Sequence, residues 1–280
     1  MTVSVQIPAS TTNLGPGFDC LGIALQLWNR VTIDPGRSDG PPSGMVSQAA
    51  ELFFARTNQK PFPFGFSIKG EVPQARGLGS SVTLRLGILM ALNGITKSDL
   101  SKEEICAVCA ELEGHPDNAA AALFGGFTIV TKSTSRVVRF DIDPRMKFVL
   151  FIPNFEVKTS DARKVVPASF SRQDVVENLG NASLIAAAFA SGDYRLLRGA
   201  FVDRLHQPFR EKLVPFLPTL LRAAIEAGAL GGFLSGSGST IACITLSDGD
   251  DVASALRAAV PEEAAKILIV SADNQGAQLI

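Results

Sequence analysis

A glycine-rich turn that begins at residue 77 leads directly into a segment whose apolar residues recur at helical spacing. Residues 77–81 are Gly-Leu-Gly-Ser-Ser, and apolar side chains then recur at helical spacing through residue 93. Glycines allow the backbone to turn tightly and approach a ligand, and the first N–H groups of a helix have no partner within it. Because the helix dipole adds positive potential there, the segment predicts a phosphate-binding turn. A plain glycine turn with a serine helix cap is the alternative.

This turn differs from the two commonest phosphate loops. The chain contains neither GxxxxGKS nor GxxxxGKT, and residues 77–81 do not extend to the pattern GxGxxG. A phosphate bound here would therefore meet backbone amides and the hydroxyl groups of Ser80 and Ser81 instead of a lysine. A serine hydroxyl can also serve as a ligand of Mg²⁺.

The composition excludes several classes of protein. Among 280 residues, 46% are hydrophobic and 19% are charged, which is typical of a globular chain. The formal net charge is -1, so nothing indicates a nucleic-acid or anionic membrane partner. No apolar run approaches the roughly 18 residues that span a bilayer, and residues 1–10 do not resemble a secretion signal. The 4 cysteines are too few for a disulfide scaffold, so we expect a cytoplasmic protein that acts on a small molecule.

Strand and helix patterns are mixed along the chain. Alternating apolar residues predict strands at 3–8, 64–69, 125–130, 137–142, 148–152, 240–245 and 267–270. Helical spacing predicts helices at 43–56, 82–93, 101–112, 174–190 and 216–227, the third opened by a capping box of Ser101 and Glu104. Residues 10–19 are predicted as a loop. The absence of a strict βαβ rhythm favours an α+β fold of two lobes, residues 1–145 and 146–280.

Three glycine-rich motifs occur in one chain in a fixed order. They are STTNLGPGFDCLG from Ser10, GLGSS from Gly77 and FLSGSGST from Phe233. This pattern resembles that of the GHMP kinases. Two further stretches, EGHPDN from Glu113 and DRLHQPFR from Asp203, resemble the homoserine kinases of that superfamily. The resemblance covers residues 3–243, which is most of the chain.

The resemblance implies a GHMP kinase-like two-lobed fold, with an N-terminal ribosomal S5 domain 2-like lobe and a C-terminal ferredoxin-like lobe. It implies ATP and Mg²⁺ as cofactors and L-homoserine as the substrate. The reaction would transfer the γ-phosphoryl group to the side-chain hydroxyl and give O-phospho-L-homoserine, on the route to threonine. Homodimers are common among such enzymes.

The same resemblance assigns the nucleotide and metal sites. Its nucleotide-binding residues are Gly77, Leu78, Gly79, Ser80 and Ser81. The metal would be held by Ser81 and Glu113, although the neighbouring Glu111 stays open as the ligand. Asp117 would orient the substrate hydroxyl or accept its proton, with Glu113 and Ser81 completing the catalytic group.

The substrate site is also implied residue by residue. Its members are Asn13, Asp19, His115, Asp117, Asn118, Arg163, Arg210, Gly236 and Gly238. A carboxylate such as Asp19 suits an ammonium group, and the guanidinium fork of Arg163 or Arg210 suits a carboxylate. An amino acid needs both kinds of partner, whereas a neutral sugar needs neither.

Three residues outside these assignments carry separate expectations. Arg85 lies just after the glycine-rich turn, where the family usually has small residues. Its side chain can either reach bound phosphates or face water, and we expect it to face water. Cys106 and Cys109 have the spacing of a redox or zinc pair. A single pair within an amphipathic helix instead favours a shared apolar face, because a structural zinc site needs four ligands.

Two other functions remain open from the sequence. One is a different GHMP kinase, directed to mevalonate, a sugar or another hydroxy acid. The other is a non-catalytic relative that binds ATP or a metabolite.

Overall fold

The computed structural model describes residues 2–37, 44–131, 133 and 136–280, and these residues contain two β-sheets. The strands are β1 (Val3–Asn13), β2 (Gly17–Asp34), β3 (Gly65–Gly70), β4 (Phe127–Val130), β5 (Val137–Phe140), β6 (Lys147–Pro153), β7 (Gly231–Leu234), β8 (Ile241–Thr245), β9 (Ala265–Ser271) and β10 (Gln278–Leu279). The α-helices are α1 (Gly44–Thr57), α2 (Ser80–Thr96), α3 (Lys102–Glu113), α4 (Asp117–Phe124), α5 (Thr159–Lys164), α6 (Arg172–Ser191), α7 (Gln207–Arg210), α8 (Leu217–Glu226) and α9 (Asp250–Ala259).

The first sheet packs against helices α1 to α4. Its strand order is β10-β1-β2-β4-β5, β3 pairs with β2, and all pairs are antiparallel. Alternate residues of β1 and β2, such as Val5 and Ile33, point into the core that these helices fill. Helix α2 approaches β2 closely because Gly87 places no side chain between the helix and Val31.

The second sheet has the order β7-β8-β6-β9 and is also antiparallel. Numbered along this half of the chain, its strands have the spatial order 2-3-1-4, the ferredoxin-like order that the resemblance implied. Helices α8 and α9 cover one face through residues such as Leu220 and Leu256. The expected α+β architecture is therefore confirmed.

A shared core joins the two sheets. Phe127 of β4 stacks on Phe189 of α6, with ring centroids 4.2 Å apart, in a cluster that also contains Phe148 of β6. The chain then returns to the first sheet, where Leu279 of β10 pairs with Val5 of β1. A boundary at residue 145 falls in the connection between β5 and β6, and the division into two domains stays a prediction.

The predicted loop at residues 10–19 is wrong for most of its length. Strand β1 continues to Asn13 and β2 begins at Gly17, because the polar residues at the end of β1 are buried and pair with other segments. The elements without a counterpart among the predicted ones are strands β2, β7 and β10 and helices α4, α5, α7 and α9. Helix α4 is short and rich in alanine, so its sequence carries no apolar periodicity. The capping box of Ser101 and Glu104 is confirmed, whereas residue 43, the predicted start of a helix, lies outside the described residues.

The cysteines are free thiols. Cys106 and Cys109 lie on α3 and are buried in the core of the first sheet, as their helical spacing predicts. In the described part of the chain, no helix combines enough length with enough apolar character to cross a membrane.

Alanine at two glycines of α2 is expected to have opposite effects. A Cβ at Gly87 would lie 2.5 Å from two carbons of Val31, so α2 would have to shift, and we expect destabilisation by about 1–3 kcal/mol. At Gly94 the nearest atoms are 3.8 Å away, so Gly94→Ala should raise the free energy of unfolding by about 0.5–1 kcal/mol. Denaturant unfolding of both variants measures the difference. Equal effects would show that contact with Val31 does not fix α2.

Candidate active site

One cavity of about 350 Å³ lies where β1, the N-termini of α2 and α4, and the turn after β7 meet. Most residues predicted for the site line it: Asn13, Asp19, Gly77, Gly79, Ser80, Ser81, Glu113, His115, Asp117, Asn118, Arg163, Arg210 and Gly236. Leu78 and Gly238 do not. The Leu78 side chain is buried in the core, and the amide of Gly238 donates to the carbonyl of Ser235 at 2.8 Å, closing the turn that carries Gly236.

Helix α2 begins with its first turn open to this cavity. Gly79, its N-cap, has a φ of 71°, and a Cβ there would lie 2.3 Å from Ser10 Oγ. No side chain caps the helix, and Gly79, Ser80 and Ser81 all line the cavity. The amide groups of this turn are therefore placed to bind an anion.

Buried hydrogen bonds tie the end of β1 to the other motifs. Ser10 Oγ donates to Asn118 Oδ1 at 2.9 Å, which fixes the start of α4. Asn13 Nδ2 donates to the carbonyl of Gly236 at 2.9 Å, and Asn13 Oδ1 accepts the amide of Asp19 at 3.1 Å. Asn13 thus holds the first and third motifs together.

Glu113, at the end of α3, is joined to α2 through both carboxylate oxygens. Ser81 Oγ donates to Oε2 at 3.0 Å, and Arg85 Nη1 donates to Oε1 at 2.6 Å. The expectation that Arg85 faces water is therefore wrong, since the residue is only 9% exposed. One helical turn separates Arg85 from Ser81, so both lie on the face of α2 toward Glu113. Glu111 instead pairs with Arg56 at the surface.

His115 and Asp117 form a buried pair beside the start of α4. His115 Nδ1 lies 2.5 Å from Asp117 Oδ1. Burial lowers the pKa of His115, but the hydrogen bond and charge of Asp117 outweigh it, so the pKa is raised. Burial likewise raises the pKa of Asp117, but the hydrogen bond and charge of His115 and the amide of Asn118 outweigh it, so the pKa is lowered. These shifts favour an imidazolium–carboxylate pair in which Asp117 is negatively charged.

Charges of both signs converge at the other end of the cavity. Arg163 of α5 binds Asp19 through two hydrogen bonds, of 3.0 and 2.8 Å. The guanidinium carbons of Arg163 and Arg210 lie 5.6 and 5.1 Å from the centroid of the Phe18 ring. An aromatic face attracts cations at this range. This end of the cavity therefore suits a ligand that carries both an ammonium and a carboxylate.

Arg210 is held by the backbone and by His206. Its Nε donates to the carbonyl of Ala162 at 3.0 Å, and Nη1 lies 2.9 Å from the carbonyl of Gly236 and 3.1 Å from His206 Nδ1. His206 Nε2 lies 2.8 Å from the carbonyl of Gly15, so the imidazole is neutral and carries its proton on Nε2. Burial, with the charge of Arg210, lowers the pKa of His206 to about 4. Burial also lowers the pKa of Arg210 to about 10, which leaves it charged at neutral pH.

The chemistry of Ser81 and Glu113 fits a magnesium ion. Mg²⁺ takes few protein oxygens and completes its shell with water and phosphate oxygens, and these two side chains offer one hydroxyl and one carboxylate oxygen. A second group within the described ranges, Asp19, His115 and Asp117, has potential ligand atoms within 4.8 Å of one another. Asp19 is already paired with Arg163, and His115 is paired with Asp117.

Sequence reasoning missed several residues of the cavity. They are Thr12, Phe18, Arg76, Lys158, Thr159 and Ser237, among others. Thr12, Phe18 and Ser237 lie inside the glycine-rich motifs, and Arg76 directly precedes one. Their position beside predicted site residues could therefore have placed them in the cavity. Lys158 and Thr159 lie at the start of α5, the helix that carries the predicted Arg163, so they were adjacent to a predicted residue as well.

Two family models match the chain. The model of the GHMP kinases N terminal domain matches residues 44–126, and that of the GHMP kinases C terminal domain matches residues 185–262. The first contains the glycine-rich turn at residues 77–81 and Asp117, and the second contains Arg210 and the turn after β7. The chain belongs to the GHMP kinase family.

Curated relatives resolve the branch of that family. Homoserine kinase from Caldicellulosiruptor bescii is 35% identical over 98% of this chain and 96% of its own length. Homoserine kinase from Aquifex aeolicus is 36% identical over 99% of both. At this identity and coverage, the homoserine kinases are the branch to which the chain belongs. The crystal structure of homoserine kinase from Cytophaga hutchinsonii matches 100% of this chain and 97% of that chain with a TM-score of 0.87, and at 24% identity it supports the fold.

The neutral state of His206 predicts acid-sensitive stability. Its folded-state pKa of about 4 lies below the ordinary value of 6.5, so the unfolded chain binds more protons between these values. The contribution is fully present above pH 6.5 and is lost as the pH falls toward 4; it is at most about 3 kcal/mol. His206→Gln keeps an amide donor without a titrating group and should flatten this slope in denaturant unfolding between pH 7.5 and 5. An unchanged slope would contradict the assignment.

Proposed function

We propose that this chain transfers the γ-phosphoryl group of ATP to the side-chain hydroxyl of L-homoserine, giving O-phospho-L-homoserine. The observation that carries the proposal is that the start of α2, Asp117 and the group of Asp19, Arg163 and Arg210 line one cavity. Homoserine has one ammonium, one carboxylate and one hydroxyl group, and the cavity offers a partner for each. The names of the curated relatives support the same acceptor.

The phosphate groups of ATP would bind at the first turn of α2. The amides at Gly79, Ser80 and Ser81 would contact their oxygens, as at other helix N-termini. Ser81 and Glu113 would hold Mg²⁺, which supplies neutralisation of phosphate charge when it is bound. This turn contains no lysine, so the backbone amides and the metal would neutralise the phosphate charge.

The amino-acid end of the substrate would lie between Asp19 and the two arginines. In the free protein Asp19 and Arg163 neutralise each other, so a ligand must offer both charges to replace their mutual bonds. A zwitterion satisfies this condition. A hydroxy acid without an ammonium group would leave Asp19 unpaired, and a neutral sugar that displaced the pair would leave both residues without a counter-charge. Arg210 is fixed by the backbone and would bind the carboxylate without rearranging.

Asp117 would orient the substrate hydroxyl toward the γ-phosphate. Its lowered pKa makes it a weak base, which fits a reaction whose loose transition state depends on positioning and charge more than on proton abstraction. His115 would keep Asp117 charged, and Asn118, held by Ser10, would fix the start of α4. A cytoplasmic location, a homodimer and a lack of nucleic-acid and membrane partners stay predictions.

Coupled ADP release over a panel of acceptors tests the proposal. With ATP and MgCl₂, we expect kcat/KM for L-homoserine to exceed the values for L-threonine, mevalonate and galactose. Mevalonate and galactose lack the ammonium group that pairs with Asp19, and the hydroxyl of L-threonine lies on Cβ, one carbon short of the position that the homoserine hydroxyl reaches. A higher value for mevalonate or galactose would identify another acceptor class. ADP release with none of the four would favour a non-catalytic relative.

Asp117→Asn tests the orienting role. The change keeps the shape of the side chain and removes its charge, so we expect kcat to fall roughly 100-fold or more, with little change in the KM for homoserine. The matched control is Asp251→Asn, on the exposed first turn of α9, which should keep normal activity. Unfolding curves verify that both variants fold. Full activity of Asp117→Asn would remove this residue from the mechanism.

A further inference from the structure

Arg85 places a buried guanidinium directly beside the carboxylate proposed to hold the metal. Its Nη1 donates to Glu113 Oε1 and to the carbonyl of Leu112, each at 2.6 Å, and Nη2 donates to Gln48 Oε1 at 3.1 Å. Its Nε is buried and has no hydrogen-bond partner. The side chains of Arg85 and Glu113 are only 11% and 10% exposed, so water screens their interaction weakly.

The geometry divides the carboxylate of Glu113 between two partners. Oε1 is bound to Arg85, whereas Oε2 lies 3.0 Å from Ser81 Oγ at the cavity. Glu113 can therefore offer a metal one oxygen, and its orientation is fixed by α2. The positive charge of Arg85 also neutralises the carboxylate before any ligand arrives.

We propose that Arg85 is a positioning residue of the metal site, which orients Glu113 for Mg²⁺ and replaces the ion electrostatically while none is bound. The inference rests on the proposed kinase function and deepens it. Because the carboxylate is already compensated, free Mg²⁺ gains little by binding to the protein alone. The phosphate charges of ATP would outweigh that of Arg85, so Ser81 and Glu113 would hold the ion together with the nucleotide.

A surface pair offers a matched comparison for this buried one. Arg56 of α1 and Glu111 of α3 also form an ion pair, but their side chains are 51% and 50% exposed and they do not line the cavity. Removing Arg56 leaves Glu111 in water. Removing Arg85 leaves Glu113 buried, uncompensated and open to a cation on its Oε2 side.

Thermal unfolding of the nucleotide-free protein tests the electrostatic part. Adding about 10 mM MgCl₂ should shift the midpoint of the wild type by less than about 1 °C and raise that of Arg85→Met by about 3 °C or more. The reason is that Mg²⁺ replaces the missing charge beside Glu113. Arg85→Lys keeps the charge and should respond as the wild type does, as should Arg56→Met.

Kinetics test the positioning part. In Arg85→Met the Mg²⁺ concentration for half-maximal rate should fall about tenfold, because a repelling charge is gone. The kcat should also fall about tenfold, because Glu113 is no longer held in one orientation. Arg85→Lys should restore the Mg²⁺ requirement. If Arg85 were purely structural, its replacement would lower the unfolding midpoint. It would change neither the midpoint shift caused by MgCl₂ nor the Mg²⁺ concentration for half-maximal rate.

The double variant Arg85→Met, Glu113→Gln keeps the test decisive if the single variant folds poorly. It removes both buried charges, so it should fold without added metal and show no stabilisation by MgCl₂. Equal midpoint shifts in wild type and Arg85→Met, or stabilisation of the double variant by MgCl₂, would overturn the inference. The unfolding assay contains no acceptor, so a failure of homoserine phosphorylation would leave its result intact and would count against the proposed function alone.

Discussion

The polar end of β1 is the constraint on which the rest of the site depends. Residues 10–13 are almost completely buried, and buried hydroxyl and amide groups are costly unless they are paired. Their partners come from distant segments, namely Asn118 at the start of α4 and Ser235 and Gly236 after β7. Each lost partner would leave a buried group unsatisfied, at a cost of about 1–3 kcal/mol. The hydrogen bonds that join the two sheets are therefore also the ones that position the residues of the cavity.

The charged side chains of the cavity are paired with one another before any ligand binds. Asp117 has His115, and Glu113 has Arg85, each within hydrogen-bond distance. Binding is then an exchange of partners more than the capture of an ion by an unpaired charge. Such a site favours ligands that replace every bond they displace, which is a demanding condition for small molecules of the wrong charge pattern.

Local features of the fold were predictable from the sequence, whereas tertiary ones were not. The start of α2 could be predicted because its signals are local: glycines that allow a turn, serines that begin a helix and an apolar helical period lie within a few residues of one another. The end of β1 could not, since a run of Ser and Thr indicates a loop until other segments bury it. The burial of Arg85 depends on tertiary structure in the same way, because the residues that cover it belong to α3. Its spacing of one helical turn from Ser81 was the signal that sequence reasoning left unused.

The pairing of β10 with β1 has a consequence for how the protein is made. Val5 and Leu279 are register partners although nearly the whole chain separates them. On the ribosome the part of β1 around Val5 and Gln6 therefore lacks its second neighbouring strand until residues 278–279 have been synthesised, whereas the amide of Ser10 bonds to the carbonyl of Leu78. The strand that carries the first motif precedes the other strands of its sheet along these residues, whereas one of its two neighbours, β10, follows them all.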